Sequence, residues 1–86
     1  MNRTEWLQRS ETIAHQFVEA SGIMAVTPND IEMFQAAGEW QEVASEALIF
    51  ALASETPMPA TLIKAAIELW GSNGMDDLFN QALSRH

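Results

Sequence analysis

The sequence predicts an all-α protein, a compact bundle of about five helices built as a single helical domain over residues 1–86. Apolar residues recur every three or four positions in five segments, which is the helical period, and no segment alternates as a strand does. Clusters of glycine and proline separate the segments. A chain of 86 residues with 48% apolar residues is long enough for one modest core.

The first helix is expected from about Arg3 to Ala20. Asn2, followed three residues later by Glu5, is a start signal, and Ser21-Gly22 supplies a stop because glycine adopts the left-handed C-cap conformation cheaply. The residues that share its apolar face are Trp6, Leu7, Ser10, Ile13, Ala14, Phe17 and Val18. The apolar link that follows, residues 23–26, is expected to pack back onto the bundle, or to form an exposed contact strip.

A short second helix is expected from Pro28 to Ala37. Thr27 suits the N-cap, Pro28 suits the first helical position, and Asp30 complements the positive end of the helix dipole. Ile31, Phe34 and Ala37 are expected to be buried, and Gly38 to end the helix. So brief a turn makes the second helix and the next one packed neighbours.

The central helix is expected between Gly38 and Ser54. Its core face is ordinary, but the other side carries an acidic row, Glu39, Glu42 and Glu46, that leads into two large apolar residues, Ile49 and Phe50. Such a helix is either covered on both sides or presents a surface to a partner. The residues of the core face are Trp40, Val43, Ala44, Ala47, Leu48, Ala51 and Leu52.

Two prolines in residues 55–59 break the chain, and a fourth helix is expected from Pro59 to about Trp70. A turn with the cap candidate Asn73 precedes the last helix, Met75 to about Ser84, whose first turn holds two acidic residues favoured there by the dipole. Those acidic residues are Asp76 and Asp77. The fourth helix is apolar around much of its circumference, at Leu62, Ile63, Ala66, Ile67, Leu69 and Trp70, so we expect it to be the most buried helix. The residues of the last helix expected to face inward are Met75, Leu78, Phe79, Ala82 and Leu83.

The net charge of −8 restricts the possible partners. Four basic residues against twelve acidic ones cannot neutralise many phosphates, which disfavours nucleic acid and anionic membranes as partners. The charge favours steered association with a basic protein, although it also serves solubility. The N-terminus lacks the pattern of a secretory signal and no stretch approaches a membrane-spanning length, so we expect a cytoplasmic protein.

The sequence contains few of the residue patterns that are typical of catalytic sites. There is no cysteine, no nucleophile motif and no phosphate-binding glycine loop, so we expect neither an enzyme nor a cofactor. Glu11, His15 and Glu19 have the spacing of helical metal ligands, but a solvated polar face explains them better and we expect no metal site. The tryptophans Trp6, Trp40 and Trp70 fit a shared core better than a ligand cage.

One segment resembles a known family. The run Ala36-Ala37-Gly38-Glu39-Trp40, continuing to Ala44, Glu46 and Leu48, is similar to the helical immunity proteins of bacterial polymorphic and contact-dependent toxin systems, the MafI-type group in particular. A proline break and a helix comparable to Leu62–Trp70 extend the resemblance over about Ile31 to Leu78. The resemblance implies a bacterial protein that binds and neutralises a toxin domain, often a nuclease that acts on tRNA or DNA.

Charge and resemblance together predict an immunity protein whose acidic helical surface covers a basic toxin, with a monomer in the complex. Two alternatives remain: an acidic inhibitor of the phage type that mimics nucleic acid against a host enzyme, and a homo-oligomeric helical adaptor. The adaptor would associate through Ile23, Met24, Val26, Ile49 and Phe50. The predicted partner-binding residues of the immunity protein are Glu39, Glu42, Glu46, Ile49, Phe50, Asp30, Glu32, Asp76 and Asp77.

Overall fold

A computed structural model describes residues 1–71 and 76–84. Within these ranges the backbone forms five α-helices and one short 3-10 helix, Ile23–Ala25, and no strand, so the predicted all-α bundle is confirmed. No helix in this part of the chain has the length and apolar character needed to cross a membrane. The α-helices are α1 (Arg3–Ser21), α2 (Pro28–Ala36), α3 (Trp40–Ala53), α4 (Ala60–Trp70) and α5 (Asp76–Ser84).

The ends of α1 are those that the sequence predicts. The Asn2 side chain accepts a hydrogen bond of 2.8 Å from the backbone N–H of Glu5, which satisfies one of the unpaired donors at the helix start. Gly22 has a φ of 74°, in the left-handed region, and its N–H donates to the carbonyl of Val18. The Glu5 carboxylate does not complete a reciprocal cap but pairs with Arg9 at 3.1 Å.

Two details predicted for α2 are wrong. The Thr27 side chain makes no capping hydrogen bond, because its ψ of 62° departs from the extended geometry from which an N-cap hydroxyl reaches the second or third N–H. Ala37 is exposed because it is the C-cap residue of α2 and lies past the last buried turn. Pro28 does occupy the start of the helix, Ile31 is fully buried, and Phe34 is half-buried.

Four helices surround the core. α1 packs most extensively on α3 and also on α4, and α5 packs on both α3 and α4, so the four close a ring. α2 lies outside the ring and packs on α3 and the 3-10 helix, as its short link to α3 requires. The core residues are Ala14, Phe17, Val18, Ile23, Ile31, Val43, Ala44, Ala47, Leu48, Ala51, Met58, Leu62, Ile63, Ala66, Trp70, Phe79 and Ala82.

A buried hydrogen bond ties α1 to α4. The indole N–H of Trp70 donates to the hydroxyl of Ser10 at 2.9 Å, and Ser10 is fully buried. A buried indole needs an acceptor, and a serine on the apolar face of α1 supplies it. Ser10 and Trp70 are therefore a specific polar pair within the core.

The end of α3 is a Schellman motif without glycine. Glu55 has a positive φ, in the left-handed region; its N–H donates to the carbonyl of Leu52, and the N–H of Thr56 donates to the carbonyl of Ala51 at 2.8 Å. The Ser54 hydroxyl donates to the carbonyl of Phe50 at 2.8 Å and lies 2.9 Å from the hydroxyl of Thr56. Side-chain hydrogen bonds thus support a left-handed residue where glycine is the usual choice.

The last helix is described from Asp76 onwards. Phe79 and Ala82 point into the core as predicted, and Leu78 is half-buried. The predicted helix start at Met75 and the cap candidate Asn73 lie outside the described residues.

Candidate partner-binding surface on the third helix

The acidic row lies along α3, on the side away from the core. Glu39 is the N-cap residue and Glu42 is in the first turn, and both are exposed, whereas Glu46 is half-buried in the middle of the helix. Ile49 follows Glu42 two turns later on the same side and keeps 46% of its surface exposed. The row and Ile49 therefore share one outward side of α3.

Phe50 has a different position from Ile49. It is half-buried and packs against the core, so much of its ring is unavailable to a partner. Of the two apolar residues predicted as an anchor beside the acidic row, Ile49 is the one with a large exposed surface. The reason is helical geometry, because Phe50 is turned one residue further round the helix towards the core side.

Part of the acidic surface is explained by the helix dipoles. Asp30, Glu42, Asp76 and Asp77 all lie in first turns, where a negative charge is stabilised by the dipole. Glu46 lies mid-helix, and its position is not explained in this way. Asp30, Asp76 and Asp77 are exposed, as is Glu32, and their helices α2 and α5 both pack on α3.

Ion pairs do not account for the row either. In residues 1–71 and 76–84 the ion pairs are Glu5 with Arg9 at 3.1 Å and, when the histidine is protonated, Glu11 with His15 at 3.8 Å. Both pairs lie within α1. Within this part of the chain the carboxylates of the row therefore form no ion pair.

The tryptophans divide into two environments. Trp70 is buried, as predicted, but Trp6 and Trp40 are half-buried and line a cleft of about 270 Å³ together with Glu39 and Glu42. The shared-core prediction is thus incomplete for these two residues, because each packs against the core but is only half-buried. Both residues lie near the start of a helix, and this position could have indicated their partial exposure, because the ends of a helix are less enclosed than its centre.

A larger cleft, of about 510 Å³, lies elsewhere. It runs between α1 and α4 and is lined by Ile13, Leu69, Arg9 and Glu68 among others. No residue of the acidic row lines it. Its charges are mixed, so it offers a basic partner no comparable attraction.

The residues predicted for self-association are divided by the fold. Ile23 is buried and Met24 is half-buried, because the 3-10 helix packs its apolar side onto α2 and α3. Val26 is 62% exposed, and so is Met33, which sequence reasoning did not select. Met33 lies two residues from the buried Ile31, on the opposite side of α2, and that spacing was the available signal.

His15 contacts an aromatic ring. Its ring centroid lies 5.7 Å from that of Trp40, with the planes tilted by 45°, and Glu11 approaches it at 3.8 Å. Glu19 does not join this pair, and the described residues contain no group of three or more potential metal ligands. His15 on the polar side of α1 thus helps to hold Trp40 between α1 and α3.

Comparisons with known protein families, with curated proteins and with solved structures found no match. The similarity to MafI-type immunity proteins therefore remains a prediction from the residues between Ile31 and Leu78.

Proposed function

We propose that this chain is an immunity protein that binds and neutralises a basic toxin domain, for which a nuclease is the best candidate. The observation that supports the proposal most is the outward side of α3, where Glu42 and Glu46 lie beside the exposed Ile49. Carboxylates without ion-pair partners attract the cations that a nuclease uses for phosphates, and an apolar side chain slows dissociation.

The mode of action is occlusion. The chain needs no catalysis, cofactor or metal for it, and a rigid helical scaffold in the cytoplasm is sufficient. A net charge of −8 accelerates encounter with a basic domain, by about 10- to 1,000-fold when the charges are well placed. Asp30 and Glu32 on α2, with Asp76 and Asp77 on α5, extend the acidic surface beyond the row.

A phage-type mimic of nucleic acid is a less suitable interpretation. Such an inhibitor needs carboxylates spaced along an extended face, because it imitates a line of phosphates. Here the row ends at a large exposed apolar side chain, Ile49, which resembles no part of a phosphate backbone.

Self-association is the second candidate function, because Val26, Met33 and Ile49 are exposed. A charge of −8 on each copy opposes it through mutual repulsion. Light scattering separates the two candidates: the immunity proposal predicts a monomer for the isolated protein at physiological salt, and a stable homo-oligomer would favour the adaptor.

The direct test uses the gene that lies immediately upstream of the gene for this chain. We expect that gene to encode a large secreted toxin, and its C-terminal domain to arrest bacterial growth when expressed alone. Co-expression of this chain should restore growth, and the two proteins should purify as a complex with one copy of each. A toxin-free gene neighbourhood, or growth arrest that persists with this chain present at equal levels, would contradict the proposal.

A further inference from the structure

A small cleft opens where the start of α1 approaches the start of α3. Trp6 from α1 and residues 38–42, which include Glu39, Trp40 and Glu42, line it, and its volume is about 270 Å³. Pockets for drug-sized ligands occupy about 300–1,000 Å³. The cleft is therefore of a size for one side chain or a small cation.

Two tryptophans line the cleft. Trp6 and Trp40 are both half-buried and pack against the core, and both contribute to the lining of the cleft. His15 holds Trp40 from the side of α1, with 5.7 Å between ring centroids. Tryptophan is the best aromatic partner for a cation, which it attracts when the charge lies within about 6 Å of the ring centre.

Two carboxylates supply the charge. Glu39 and Glu42 are exposed, and neither forms an ion pair within residues 1–71 and 76–84. The dipole of α3 explains Glu42 in part, but it does not explain two indoles in the same cleft. Of the described arginines and lysines, Arg9 pairs with Glu5 and lines the cleft between α1 and α4, and neither Arg3 nor Lys64 lines the tryptophan cleft.

Backbone hydrogen bonds order the chain segment that bears the carboxylates before any ligand binds. Gly38 has a positive φ and forms a Schellman motif at the end of α2: its N–H donates to the carbonyl of Gln35 and the N–H of Glu39 donates to that of Phe34, both at 3.0 Å. A cleft that is ordered before binding loses little conformational entropy when it is filled.

We propose that this cleft receives the guanidinium group of an arginine side chain from a basic protein partner. Arginine fits better than lysine because its planar group stacks on an indole while its N–H groups donate to carboxylates. In this complex Glu39 and Glu42 accept those hydrogen bonds and Trp6 or Trp40 stacks on the guanidinium plane. The inference rests on the proposed function for the identity of the partner, but the cleft can be tested without it.

The test without a partner uses N-acetyl-arginine amide as the probe and N-acetyl-citrulline amide as its neutral isostere. Two-dimensional NMR of the whole protein follows the three indole N–H signals. We expect the arginine derivative to shift the signals of Trp6 and Trp40 saturably and the citrulline derivative to leave them in place. Trp70 is the internal control, because its N–H is buried against Ser10.

Glu39→Gln with Glu42→Gln should weaken arginine binding at least about tenfold, since a guanidinium forms stronger hydrogen bonds with a charged carboxylate than with a neutral amide. The matched control is Glu19→Gln with Glu68→Gln, which removes the same charge from exposed residues beside the clefts between α1 and α4. Shifts that are absent, equal for both probes, or equally reduced in both double variants would overturn the inference.

The two proposals fail in different ways. A toxin domain that binds the wild type and the Glu39→Gln, Glu42→Gln variant with equal affinity would overturn the cleft and leave the immunity function in place. Specific arginine binding in the cleft, with no toxin that this chain neutralises, would support the cleft and contradict the immunity function.

Discussion

Ser10→Ala tests the buried link between α1 and α4. In the structure the Ser10 hydroxyl accepts a hydrogen bond of 2.9 Å from the indole N–H of Trp70. Ser10 is fully buried and Trp70 is 7% exposed, so the N–H has no access to bulk water when the hydroxyl is removed. The substitution leaves a buried donor without an acceptor while changing the volume of the core very little.

An unsatisfied buried donor costs about 1–3 kcal/mol. Alanine is the better helix former, which offsets part of that cost by about 0.5 kcal/mol. A domain of 86 residues has a free energy of unfolding of about 4–13 kcal/mol, so the expected loss is a considerable fraction of the total. For a domain of this size it corresponds to a fall in Tm of about 4–8 °C per kcal/mol.

Urea unfolding followed by far-ultraviolet circular dichroism measures the difference. Ser45→Ala is the matched control, because Ser45 is a half-buried serine inside α3 whose hydroxyl makes no hydrogen bond to the described part of the chain. The control should be neutral or slightly stabilising, and Ser10→Ala should be less stable than it by about 1–3 kcal/mol. Equal stability of the two variants would refute the role given to the Ser10–Trp70 pair.

Two further pairs of substitutions test the fold. Leu48 is fully buried, so Leu48→Ala should lower the free energy of unfolding by about 2–5 kcal/mol. Ile49 is 46% exposed, so Ile49→Ala should leave that free energy nearly unchanged. Comparable losses in thermal unfolding would mean that Ile49 is core and no anchor. Glu55→Gly should stabilise by about 1 kcal/mol, because glycine adopts the positive φ of this position without steric cost. Ala53→Gly, at the last residue of α3, should instead destabilise, by up to about 1 kcal/mol. Destabilisation by Glu55→Gly in chemical denaturation would argue against the left-handed cap.

The periodicity of the apolar residues was sufficient to predict the helices, because a helix forms between residues that are close together in the sequence. Proline and glycine gave their boundaries to within a few residues: Pro28 starts α2, and Gly22 ends α1. The left-handed residue Glu55 had no such signal, since a Schellman motif without glycine depends on hydrogen bonds from Ser54 and Thr56 that the spacing of residues does not reveal.

The contacts between different helices could not be predicted from the sequence. Ser10 and Trp70 lie 60 residues apart, and only the ring of four helices brings them together. The cleft between Trp6 and Trp40 has the same origin, because the period of each helix gives the side that faces inward but not where two helix starts leave a gap. The exposure of Ile49 and the burial of much of Phe50 likewise depend on the rotation of α3 in the bundle.

The central claim is that the acidic row recognises a basic partner by its position and not only by the net charge of the protein. Each replacement of glutamate by lysine raises the net charge by two units, so replacing Glu39, Glu42 and Glu46 changes it from −8 to −2. Replacing Glu19, Glu55 and Glu68 by lysine reaches the same −2 with the row intact. A difference between the two variants can therefore be attributed to the location of the charges.

The decisive measurement is the association rate constant of the C-terminal domain of the upstream toxin with these two variants, by stopped-flow, across a series of salt concentrations. The row variant should associate at least about tenfold more slowly than the control variant at low salt and should lose most of the salt dependence. Equal rates and equal salt dependence for the two variants would contradict the claim, because net charge alone would then account for the association.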